Sequence, residues 1–296
     1  KCGPTAIMRR AARREQRAAQ VCLIPAEGGG AVRPVKLALV QFQSVAYDVP
    51  ANVEKGLKFV EDAARQGADL IVFPELFLTG YDPDAIGERP EELAQNIDGF
   101  AVQAFATAAA ANHINLVVPF PLKDDKGIYN SAAVIDRSGT VVGVYHKVHL
   151  WEGERAVFQP GDRYLAAELD FGKVGVLICY DAGFPEAART LALRGVELIV
   201  VPAAFSGEMK YRWDIYFPAR ALENSCFLAA VNAAGPIGKE YMFGNNKLVN
   251  PYGKVVMDGT LNAEEMQVVE IDLDESARYP YPYLKDLRTD TYVYKG

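Results

Sequence analysis

Short apolar runs recur along this chain, and several are apolar at nearly every position rather than at every second one. DLIVFPEL (69–76), INLVVPF (114–120), KVGVLICY (173–180) and ELIVVPAAF (197–205) are the clearest. A strand with one wetted face alternates, whereas an unbroken apolar strand is covered on both faces, as in a mostly parallel sheet packed between other layers. The segments between the runs carry helical periodicity. ANVEKGLKFVEDAARQGA (51–68) repeats apolar residues at helical spacing and closes at Gly67; residues 91–112, 185–195 and 212–225 read the same way. Further strands are expected at 35–43, at 227–235, in a hairpin that turns at Arg137-Ser138-Gly139, and near 246–250, 254–257 and 267–272. Strands alternating with helices predict a single layered α/β domain.

Composition removes several alternatives. Half of the 296 residues are hydrophobic, enough for a large core, yet no apolar run approaches the roughly 18 residues of a membrane span. The net charge of −7 argues against a general nucleic-acid partner. Residues 1–34 depart from the rest: Arg9, Arg10, Arg13, Arg14 and Arg17 make a basic leader that reads as disordered or as an added extension. The domain is expected over 35–296, with an aromatic tail from about 275 that lies across a surface. Of the four cysteines, Cys179 and Cys226 sit in apolar contexts without metal-ligand spacing, which suits a reducing, cytoplasmic compartment. His146 and His149 are spaced so that a strand would point them to opposite faces, so no metal site is expected.

Three apolar strands end in a residue that can do chemistry: VFPE in Glu75, VYHK in Lys147 and GVLIC in Cys179. In layered α/β folds, sites form at the carboxyl ends of strands. Each residue alone has an ordinary reading, as a solvated acid, a surface lysine and a buried thiol. Together they have a use. A thiol is mostly protonated at neutral pH, a glutamate can take its proton, and a lysine can neutralise the oxyanion formed when sulfur attacks a carbonyl. The backbone N–H of Tyr180 is a candidate second oxyanion donor. Cys226 reads as core.

The motifs that carry these residues resemble those of the nitrilase superfamily, the carbon–nitrogen hydrolases. They are FPELFLTGY (73–81), HKVHL (146–150) and CYDAGFPE (179–186), with GERAVFQPGD (153–162), RALEN (220–224) and NPYG (250–253) in support. The resemblance spans about Val35 to Asp272. It implies a four-layer αββα sandwich, homodimeric or larger, working without a cofactor. Glu75 would be the general base, Lys147 the oxyanion stabiliser and Cys179 the nucleophile. Glu154, ahead of Pro160-Gly161, would orient Lys147 or the attacking group. Tyr180, Trp151, Ala204 and Phe205 are candidate pocket residues.

The resemblance also narrows the substrate. True nitrilases usually place Trp-Glu after the cysteine, and this chain has Tyr180-Asp181, as in amidases and carbamoylases. Members acting on carboxylate-bearing substrates often place an arginine there, where this chain has Ala182-Gly183. A small neutral amide, aliphatic or aromatic, is therefore expected, hydrolysed to acid and ammonia through a thioester. An N-carbamoyl amine hydrolase, for which Asp181 or Glu208 would meet the amine, and a nitrilase are the alternatives. A non-catalytic binding protein on the same fold is a more distant one.

Overall fold

The computed structural model describes residues 32–278 and 283–292. The expected leader falls outside them as far as residue 31, as do Tyr279, Tyr281 and Tyr294 of the tail. The folded unit begins at Val32, and Arg33 is tied into it through Glu197, Asp274 and the Phe171 carbonyl.

Two six-stranded sheets form the body. The first takes β1 (Pro34–Gln41), β2 (Leu70–Val72), β3 (Asn115–Asp124), β4 (Gly127–Ile135) and β5 (Val141–His146). The second takes β6 (Leu165–Leu169), β7 (Gly172–Val176), β8 (Leu198–Ala203) and β9 (Phe227–Asn232). A hairpin of β10 (Ala234–Ile237) and β11 (Glu240–Phe243) follows; β12 (Lys247–Val249) and β13 (Val255–Asp258) then extend the second sheet, and β14 (Glu265–Asp272) returns to the first. The orders are β14-β1-β2-β3-β4-β5 and β13-β12-β9-β8-β7-β6. At the heart of each sheet the strands run parallel, β1 with β2 and β3, and β7 with β8 and β9.

The helices are α1 (Val49–Arg65), the short α2 (Pro83–Glu88) and α3 (Pro90–Leu93), α4 (Phe100–Asn112), α5 (Pro185–Leu193) and α6 (Lys210–Asn224). Asp48 caps α1 by accepting from the Ala51 N–H at 3.0 Å, and the chain leaves the helix through Gly67 at φ 74°. Alternation along the strands sorts the layers. In β1, Leu37 and Leu39 enter the core shared with the second sheet, while Ala38 and Val40 join the core under α1 and α4. The other face of the second sheet packs on α5 and α6 through Ala188, Leu191, Trp213 and Phe217. The result is helices, sheet, sheet, helices: the αββα sandwich.

Three expectations are corrected. The helix expected over 91–112 is broken at Asn96–Gly99, where Gly99 N–H turns back to the Asn96 carbonyl. The strand expected over 69–76 stops at Val72, because the chain turns from Glu75 onward, where Leu76 takes φ 51°. The strand expected over 227–235 ends at Asn232, and its last residues open the β10–β11 hairpin, whose second strand had no signal of its own in the sequence.

Candidate active site

Glu75, Lys147 and Cys179 meet at one end of the sheets, each just beyond the carboxyl end of its strand. Lys147 is fully buried. Its Nζ lies 2.7 Å from Glu75 Oε1 and 2.8 Å from Glu154 Oε1, so one cation faces two buried carboxylates. The Asn130 side-chain amide, on β4, donates to the same two oxygens at 2.8 and 2.9 Å. Its backbone carbonyl accepts the Lys147 N–H at 2.8 Å. Glu154 Oε2 accepts the Trp151 N–H at 2.6 Å, which folds the loop after β5 into a 3-10 turn over Glu152–Ala156. Gly161 secures the other side. Its N–H reaches the Lys147 carbonyl at 2.8 Å, and a Cβ there would stand 2.2 Å from the His146 carbonyl oxygen, so only glycine lets the two backbones approach.

Cys179 comes from the opposite sheet. It sits at φ 48°, a left-handed conformation that costs a non-glycine residue on the order of 1–3 kcal/mol. That bend opens a 3-10 turn over Cys179–Gly183 and holds the thiol 9% exposed beside Glu75. The Ala204 backbone N–H favours the charged form of its sulfur. Glu75 Oε2 is buried without a hydrogen-bond partner, so the carboxylate is anchored through one oxygen and open at the other.

The electrostatics follow from burial. Desolvation pushes the Cys179 thiol well above its ordinary range and Glu75 adds to this, outweighing Lys147 and the Ala204 N–H. The resting thiol is therefore neutral. Desolvation also raises Glu75; Lys147 offsets this in part, while Glu154 reinforces it. Burial works against the Lys147 charge, but Glu154 and Glu75 more than compensate and hold it protonated. The cluster can thus offer an activatable thiol, a base of raised affinity for protons and a fixed cation, which is what attack on a carbonyl requires.

The remaining expected residues divide. Ala204 lies at the nucleophile, as described. Tyr180 lines two cavities at the surface, one of about 370 Å³ with Gly183, Phe184, Arg212 and Tyr216, the other of about 460 Å³ with Val148, His149, Arg155 and Phe158. Trp151 stands behind it, edge-on to Tyr180 at 4.8 Å, with the Arg212 guanidinium 5.6 Å over its ring. Phe205 corrects the expectation of a pocket side chain: its ring packs into the core against Trp213 and Phe217, and its N–H is held by Asn232 Oδ1 at 2.7 Å. Asp181 is a second correction. It is fully buried and its oxygens are occupied by His149, Tyr145 and Ile178, so it cannot receive a substrate amine; Glu208 lies exposed at the surface. His146 pairs instead with Ser131 Oγ, and His149 lies beyond the end of β5, where strand alternation no longer applies. Among the described residues no His, Cys, Asp and Glu gather as a metal would need, and no helix is long and apolar enough to cross a membrane.

Sequence reasoning missed Asn130 and Tyr81. Tyr81 closes FPELFLTGY and lies with its ring 6.0 Å from Lys147 Nζ. A polar residue inside the apolar run YNSAAVID was the available signal for Asn130.

Comparison with known proteins identifies the family. The carbon–nitrogen hydrolase family model matches residues 36–281. A nitrilase of Pyrococcus abyssi is 36% identical, with 81% of this chain and 90% of that protein aligned. An (R)-stereoselective amidase of a Pseudomonas species is 34% identical, covering 86% and 92%. Among solved structures, a variant of the amidase from Nesterenkonia sp. AN1 superimposes with a TM-score of 0.78 at 30% identity, covering 88% of this chain and 97% of that one. In that structure the acetamide moiety of fluoroacetamide is covalently added at the active-site cysteine.

Proposed function

The chain belongs to the carbon–nitrogen hydrolase family and is an amidase-type hydrolase, and from that premise we propose that it hydrolyses small, uncharged amides through a thioester on Cys179. The observation that carries this reading is the asymmetric Glu75, anchored at one oxygen by Lys147 and Asn130 and open at the other beside a neutral thiol.

Glu75 accepts the Cys179 proton as sulfur attacks the amide carbon. Lys147 and the Tyr180 N–H stabilise the oxyanion. Glu75 returns the proton to the departing nitrogen, and ammonia leaves. A water then gives its proton to Glu75 and attacks the thioester; the acid departs and the proton goes back to sulfur. The sum is R–CO–NH2 plus water to R–COOH plus ammonia. Glu154 holds Lys147 in place, and no cofactor takes part.

Restriction to uncharged substrates is supported by Ala182-Gly183 standing where an arginine would be expected. An added Cβ at Gly183 would meet only the Tyr216 ring, at 3.6 Å, so the position opens onto the smaller cavity, and the Arg212 guanidinium that also lines that cavity stands over the Trp151 ring. The commitment of Asp181 to internal partners weakens the N-carbamoyl amine alternative. A cytoplasmic homodimer completes the reading. It fits a nucleophilic thiol that must stay reduced and the exposed Leu193, Tyr211 and Ile215 on α5 and α6. The test is ammonia release from a panel of amides, nitriles and N-carbamoyl amines. Short uncharged amides should turn over fastest, and a preference for nitriles or carbamoyl amines would displace this assignment.

A further inference from the structure

Glu75, Lys147, Glu154 and Asn130 all ride on the first sheet and its loops, whereas Cys179, with the Tyr180 and Ala204 backbones beside it, comes from the second. The interface between the sheets is an apolar core. Apolar packing is non-directional and does not by itself fix how far one sheet is displaced along the other. Transfer of the thiol proton to Glu75 needs that displacement set to a fraction of an ångström.

The fully buried Asp181, in the turn begun by Cys179, spans this gap. Its Oδ2 accepts the Tyr145 hydroxyl of β5 at 2.6 Å and, within its own turn, the Ile178 N–H at 3.1 Å. Its Oδ1 accepts the His149 backbone N–H at 2.9 Å and lies 2.9 Å from His149 Nδ1. The His149 ring stacks on Phe184, centroids 3.6 Å apart and planes 10° apart, which ties the same two segments a second time. Tyr145 and His149 flank Lys147 in the chain; Ile178 and Asp181 flank Cys179. Resting on the function proposed above, we infer that Asp181 is a positioning residue for catalysis: its carboxylate sets the register of the cysteine turn against the lysine loop.

The test uses Asp181→Asn, nearly isosteric but one acceptor short, together with Tyr145→Phe and His149→Phe, which each remove one donor and keep a ring. Three quantities are measured on folded protein: the rate at which chloroacetamide alkylates Cys179, followed by peptide mass, and kcat and KM for amide hydrolysis. Asp181→Asn should alkylate and turn over slower by about a hundredfold, with KM little changed, and the two ring variants should fall between it and wild type. Should Asp181→Asn fail to fold, the two ring variants carry the test. Lowered melting temperatures with alkylation and kcat at wild-type rates would make the network merely structural and overturn the inference. The alkylation arm needs no substrate. A wild type that alkylates readily but hydrolyses no amide would sink the proposed function, and the alkylation rates would still decide the role of Asp181.

Discussion

Asn130 donates its side-chain amide to Glu75 Oε1 at 2.8 Å, the same oxygen that faces Lys147 Nζ at 2.7 Å. The same nitrogen reaches Glu154, so the two carboxylates share both an ammonium and an amide. Asn130→Ala should lower stability by about 1–3 kcal/mol, the usual cost of leaving a buried polar group unsatisfied. It should also lower kcat. Urea melts and ammonia release check both, and Asn130→Asp, which adds a third acid to the cluster, should be worse.

Lys147→Ala should be costly twice over. The two carboxylates would lose their cation, and breaking a buried pair in this way costs about 3–5 kcal/mol. Loss of one oxyanion donor lowers kcat by about a hundredfold or more. The stability defect should shrink in acid, as the carboxylates protonate. Thermal melts across the acid range, compared with wild type, test the sign.

The acid limb of kcat/KM should report Glu75. It works as a base only when ionised, and burial raises its pKa, so activity should fall with decreasing pH already above the ordinary glutamate range. Glu154 contributes to that elevation through its charge. In Glu154→Gln the limb should therefore move toward lower pH even as the plateau drops. A limb that stays in place would separate Glu154 from the proton affinity of Glu75.

The parts of this site that were readable in the sequence are those whose position along a strand decides their fate. Glu75, Lys147 and Cys179 end apolar runs, and parallel strands bring their carboxyl ends to one edge. Asn130 was readable only as a polar residue in an apolar run, because its role depends on β4 pairing with β5, which sets its carbonyl against the Lys147 N–H. Asp181 was misread for a related reason: an acid beside a nucleophile looks available to substrate until its neighbours across the sheet interface are known. A layered α/β domain followed from apolar runs and helical periodicity, whereas the four-layer order was implied only by the family resemblance. The break at Asn96–Gly99 did not, because periodicity survives a short turn.

Gly183 offers a gain-of-function test. Its Cβ direction opens onto the smaller cavity with only Tyr216 nearby, so a long side chain has room. Gly183→Arg should shift the ratio of kcat/KM values toward amides carrying a distal carboxylate, because arginine offers that group a bidentate partner. Unchanged ratios across a series of charged and uncharged amides would show that this position does not face the substrate.

The most direct measurement is mass spectrometry of the enzyme quenched during turnover of a slow amide, with peptide mapping to locate the acyl group. An adduct of the acyl mass should appear on the peptide containing Cys179, and hydroxylamine should discharge it as the hydroxamate. An acyl group found only on Cys226, or steady ammonia release with Cys179 never modified, would contradict the account.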